Sequence, residues 1–149
     1  MAKSVSIDET AQMSGVELGV SDWLTIDQDR VTAFADATLD HQWIHLDAVR
    51  AEAQFGGTIA HGFLSLSLLV HLMGQVVEWS DATTVINYGC NKVRFTGMVP
   101  TGSAVRGKFS VDSAEPKAGG MQVGLNCVLE VQGQERPALV ANWLLLLLR

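Results

Sequence analysis

The chain has 149 residues, enough for one domain that buries roughly two thirds of the surface its unfolded form exposes, and no second domain is required. Its formal net charge of −6 excludes the dominant basic face of a nucleic-acid binder, and its strongest apolar run, Leu144 to Leu148, falls far short of the roughly 18 residues a membrane span needs. Charged residues make up only 17% of the chain against the roughly 25% of an average soluble domain, so part of the surface is expected to be covered by self-association.

Residues 1–17 mix small, polar and acidic side chains without periodicity, which predicts a loosely attached N-terminal arm before a single domain over residues 18–149. The start, Met1-Ala2-Lys3-Ser4, lacks the apolar run of a secretory signal, and Cys90 and Cys127 are too few for a disulfide framework; a reducing cytoplasm is expected. Asp27 is placed to cap a helix in which Val31, Phe34 and Ala35 share one face while Gln28, Asp29 and Arg30 face away, with an end near Ala37. A loop over Thr38 to Leu46 follows. Asp47 then caps a short helix through Ala48 to Ala53, and Phe55-Gly56-Gly57-Thr58 reads as a flexible turn.

From about Gly62 to Trp79 the pattern is apolar almost all round, which predicts a long helix enclosed on every side. Four strand-like stretches come next, 83–98, 103–114, 120–132 and 137–148, separated by Pro100-Thr101-Gly102, by Pro116 to Gly120 and by Gly133 to Pro137. Leu144 to Leu148 reads as a buried strand. A buried helix followed by an antiparallel meander predicts an α+β fold in which the sheet wraps around the helix.

The chemistry concentrates in Asp40-His41-Gln42-Trp43-Ile44-His45 and, after the glycine-bearing turn, Ile59-Ala60-His61-Gly62. A carboxylate and an imidazole beside a helix N-terminus can activate a water and steady an oxyanion. Asp40 alone would read as a turn residue accepting backbone N–H bonds. His41 and His45 with Asp40 or Asp47 have the residue types of a zinc site, but the intervening residues do not match His-Glu-x-x-His and neither cysteine is near in sequence, so no metal is expected. His61 is expected to position the loop or cap the helix, and His71 to be a hydrogen-bonded core or interface residue. Gly62, at a helix start, offers an N–H without an intrahelical partner and no side chain to block a ligand; otherwise it only relieves crowding at the junction. Lys92 and Arg94 point to one face of a strand while Val93 and Phe95 point to the other, and Arg106 with Lys108 repeats the pattern. Trp43, Phe63 and Met73 are either plain core or the border of an apolar tunnel.

Asp40 and His45, the segment Phe55-Gly56-Gly57-Thr58-Ile59-Ala60-His61-Gly62-Phe63 and the stretch Asn91-Lys92-Val93-Arg94-Phe95 together resemble the MaoC-like (R)-specific enoyl-CoA hydratases over roughly residues 18–149. Where many members carry Asn-Pro between the catalytic pair, this chain has Gln42-Trp43, a variant similar to the nodulation protein N-like branch. The resemblance implies a hot-dog fold, Asp40 and His45 as the catalytic pair, and the Gly62 N–H as the donor that polarises a thioester. It implies reversible hydration of a trans-2-enoyl-CoA to an (R)-3-hydroxyacyl-CoA without a metal or redox cofactor, in a homodimer or a multiple of one. Coenzyme A is polyanionic, so Lys92 and Arg94 are candidates for its phosphates, against the alternative of a solvated strand face. A hot-dog thioesterase is the rival enzyme, disfavoured because the central helix has no Asp or Glu before Glu78; a non-catalytic acyl-thioester binding protein is the other alternative.

Overall fold

The computed structural model describes residues 1–149, which form five helices and eight strands. Four long strands, β5 (Thr84–Phe95), β6 (Ala104–Lys117), β7 (Gly120–Val131) and β8 (Leu139–Leu148), pair antiparallel with β2 (Glu17–Val20) in the order β2-β6-β7-β8-β5, and β3 (Leu24–Thr25) also pairs with β6. Alternation supplies one apolar face: Met121, Val123, Leu125, Cys127, Leu129 and Val131 of β7 and Leu139, Ala141, Trp143, Leu145 and Leu147 of β8 are all buried. The central helix α5 (Gly62–Gly74) lays Leu64, Leu68, Leu69, Leu72 and Met73 on that face, in one 29-residue apolar cluster. Gly107 of β6 lets the helix come close, because a Cβ there would lie 3.2 Å from the Leu72 Cβ and 2.6 Å from the Phe109 ring. The sheet wrapped on a central helix is the expected α+β hot-dog architecture.

The N-terminal arm is not loosely attached, contrary to the expectation from its composition. Lys3–Val5 forms β1, a parallel partner of β4 (Val77–Trp79), and Ile7–Thr10 forms a one-turn helix, α1, closed by a reciprocal Ser6 and Glu9 capping box. Ile7 is wholly buried and the Trp79 indole N–H donates to Thr10 Oγ1 at 3.2 Å, so the segment is held by packing partners seventy residues away.

Helix α5 is also shorter than expected. Gly74 is a poor helix former, and the Gln75 N–H closes the last turn on the Leu72 carbonyl while the Val76 N–H bonds that of Met73; Val77 and Trp79 then leave as β4. Nor is the helix enclosed on every side. Phe63, Val70 and His71 are exposed, and Val85, Tyr88 and Phe95 of the edge strand β5 are exposed beside them, leaving an apolar flank open. Pro116 does not end its strand: it pairs with Met121, and the β6–β7 hairpin turns at Ala118-Gly119.

Candidate active site

Helix α2 (Gln28–Thr38), capped by the Asp27 carboxylate on the Arg30 N–H, ends in Leu39 with a left-handed φ of 63°. That turn redirects the chain to Asp40, whose carboxylate accepts the Gln42 N–H and is half exposed. The expected loop over Thr38 to Leu46 contains a further helical turn, α3 (Trp43–Leu46), which carries His45 inward; Asp47 caps the following helix α4 (Ala48–Phe55). Trp43 is fixed by stacking on Phe55, with the Arg50 guanidinium 4.0 Å above its ring.

His45 is buried. Its Nδ1–H donates to the Ile59 carbonyl at 2.6 Å, which leaves Nε2 as the bare nitrogen of the ring. Burial pushes its pKa below the ordinary value of 6.5; the Ile59 carbonyl opposes the shift, neighbouring His61 adds to it and Asp40 opposes it. His61, the N-cap residue of α5, is buried too: its Nε2–H donates to the Asp40 carbonyl at 3.0 Å and its ring stacks on His45 with centroids 3.7 Å apart at 21°. It makes no side-chain cap bond, so of its two expected roles it positions the loop.

Ligand-type atoms of Asp40, His45 and His61 lie within 4.8 Å of one another. The two ring planes are nearly parallel, so they meet far from either imidazole, and no single ion at the roughly 2 Å of a metal–nitrogen bond lies in both. His41 pairs instead with exposed Asp36 at 3.0 Å and does not converge with His45.

His45 and Gly62 line one cavity of about 420 Å³, walled by Ile44, Ile59, Phe95 and Met98. Gly62 is the first residue of α5, where backbone N–H groups lack intrahelical partners. It is also tight: a Cβ would lie 3.0 Å from the Phe95 ring. The structure does not bring Lys92 and Arg94 to this cavity. Both lie on the strand face opposite Phe95, paired with Asn142 and Val140, and Arg94 donates to the Val93 carbonyl. Arg106 and Lys108 are engaged by Glu130 and Glu17. Trp43, Phe63 and Met73 do not line the cavity either, and His71 is exposed, bonded to Gln75.

One set of supporting residues escaped the sequence. Gln28, expected to face away, donates to the His45 carbonyl at 2.9 Å and accepts the Thr58 hydroxyl at 2.7 Å, and Thr58 is 2.9 Å from the Thr101 hydroxyl. Only the tertiary meeting of three distant segments reveals this chain of bonds. Ser65, buried on the cavity wall, had a signal: it lies three residues after Gly62, on the same helix face.

Residues 9–129 match the family model described as MaoC like domain. The chain is 47% identical over 139 residues to 3-hydroxyacyl-thioester dehydratase Z of Mycobacterium tuberculosis, covering 92% of each protein. It is 44% identical over 144 residues to Nodulation protein N of Rhizobium meliloti, covering 94% of this chain and 89% of that one. In fold it is similar to the unliganded R-hydratase PhaJ1 of Pseudomonas aeruginosa, with a TM-score of 0.76, 23% identity, and 97% and 86% of the two chains covered.

Proposed function

The chain belongs to the MaoC-like domain family, whose relatives here include a named dehydratase, and on that premise we propose that it is a hydro-lyase interconverting trans-2-enoyl-CoA and (R)-3-hydroxyacyl-CoA. The observation that carries the reading is the placement of the His45 imidazole and the helix-initiating Gly62 N–H on one cavity, with Asp40 beside His45.

A water between the Asp40 carboxylate and His45 Nε2 gives a proton to the pair as its oxygen bonds to C3. The Asp40 and His45 pair therefore begins as a proton acceptor, which a neutral imidazole with a bare nitrogen supports. The C2–C3 π electrons shift toward the thioester oxygen, where the Gly62 N–H and the N-terminal end of α5 stabilise the developing charge. The pair then returns the proton to C2. Water is added across the double bond and the protein ends as it began, so the step needs no metal or redox cofactor. We place the reaction in the cytoplasm, in a homodimer.

The test is a single comparison with crotonyl-CoA. Loss of the enoyl absorbance without release of free thiol supports hydration; release of free CoA makes the protein a thioesterase, and neither change makes it a binding protein.

A further inference from the structure

Outside the proposed chemistry one buried titratable group touches both members of the pair, and we infer that His61 is a positioning residue that holds Asp40 and His45 in register for proton transfer. The inference rests on the hydratase reading of the site. His61 has two independent contacts. Its Nε2–H holds the Asp40 backbone carbonyl at 3.0 Å, while the same nitrogen lies 4.0 Å from the Asp40 carboxylate. Its ring lies flat on His45, 3.7 Å between centroids. The Asp40 loop and the α3 turn that carries His45 are thereby referenced to one rigid ring at the start of the central helix.

The tautomer follows from the bonds. A carbonyl only accepts, so His61 Nε2 carries the hydrogen and Nδ1 is bare. Nδ1 is buried with no hydrogen-bond partner, and the tilted ring of Phe34 packs on the imidazole with centroids 4.9 Å apart. The titratable groups facing His45 are then Asp40 and His61 alone; from α2 it meets the neutral amide of Gln28, and from the preceding loop the Ile59 carbonyl.

Two variants of the full chain separate the two contacts. His61→Phe keeps a flat ring on His45 and removes the donor to Asp40; His61→Gln keeps a donor of similar reach and removes the ring. With crotonyl-CoA, His61→Phe is expected to lower kcat at least about tenfold with KM within about twofold of the parent. His61→Gln is expected to recover part of that loss, and its acid limb in the profile of kcat/KM against pH moves to higher pH, because water reaches His45 where the ring shielded it. Parent-like kcat in both folded variants, or a lowered Tm with unchanged turnover per folded molecule, would overturn the inference; if His61→Phe does not fold, the rate and acid limb of His61→Gln decide by the same criteria. A parent protein that hydrates nothing would fail the functional reading itself, a separate outcome.

Discussion

The His45 imidazole donates its Nδ1–H to the Ile59 carbonyl at 2.6 Å, and this bond fixes which nitrogen of the ring is left bare. Ile59 belongs to the segment that leads into α5, so the His45 ring is tied to the same chain turn that presents the Gly62 N–H. The His45 backbone carbonyl is held from the other side by Gln28. The His45 imidazole, the turn that presents the Gly62 N–H and the Gln28 amide are therefore tied to one another by hydrogen bonds.

Removing either member of the pair should stop proton transfer without unfolding the chain. Asp40→Asn and His45→Ala are each expected to lower hydration of crotonyl-CoA by at least about two orders of magnitude, within the usual contribution of acid-base groups. Near-normal turnover in either variant, shown folded by near-UV circular dichroism, would falsify the assignment.

The depressed pKa of His45 sets a pH dependence with a definite sign. Burial, the largest cause, favours the neutral ring, so the acid limb of kcat/KM should fall below the ordinary imidazole value of 6.5. The unfolded chain takes up this proton at higher pH than the folded one, so the stability His45 contributes is present above 6.5 and is lost as pH falls from there through the depressed value. Urea midpoints measured across that range, compared with those of His45→Gln, should show the parent losing more stability on acidification; parallel curves would remove His45 as the cause.

Gly62 has two reasons to be glycine, and kinetics can separate them. An added Cβ meets the Phe95 ring at 3.0 Å, but that ring is half exposed and can move. Gly62→Ala is expected to lose at least about tenfold in kcat/KM, roughly 1.4 kcal/mol of transition-state stabilisation, with Tm close to the parent's. Combining it with Phe95→Leu relieves the crowding. If that double variant regains parental kinetics, the glycine serves packing and not the thioester.

Lys92 and Arg94 lie on the sheet face away from the cavity. The double variant Lys92→Ala/Arg94→Ala should therefore leave KM for crotonyl-CoA within about twofold at low ionic strength, where lost phosphate contacts are least screened. A KM raised about tenfold would return the pair to the phosphate-binding role.

The open flank of α5 and the unpaired edge of β5 predict association. Phe63, Val70, Val85, Tyr88 and Phe95 form an exposed apolar strip where one sheet edge can join its twin. Light scattering should find a dimer or a multiple of it, and Val70→Glu/Tyr88→Glu should shift the population toward monomer. A parent chain that stays monomeric at micromolar concentration contradicts this.

What could be read in the sequence was whatever depends on neighbours along the chain. The α5 core residues, the strands β5 to β8 and the caps at Asp27 and Asp47 follow from periodicity and local hydrogen bonding, and Asp40, His45 and Gly62, singled out in the sequence, lie close together in the fold. Tertiary contact decided the rest. Val5 and Ile7 carry no periodic signal, yet pairing with Val77–Trp79 and burial order them. The apolar circumference of α5 could not show that one flank stays open, because composition does not reveal which neighbours cover a side chain. Gln28 looked like a solvated helix residue until the loop at Thr58 and the turn at Thr101 came within hydrogen-bonding distance. The protonation pattern of the two histidines was likewise decided only in three dimensions: a tautomer is set by the partner across the fold, here the carbonyls of Ile59 and Asp40, which lie 14 and 21 residues away in the chain.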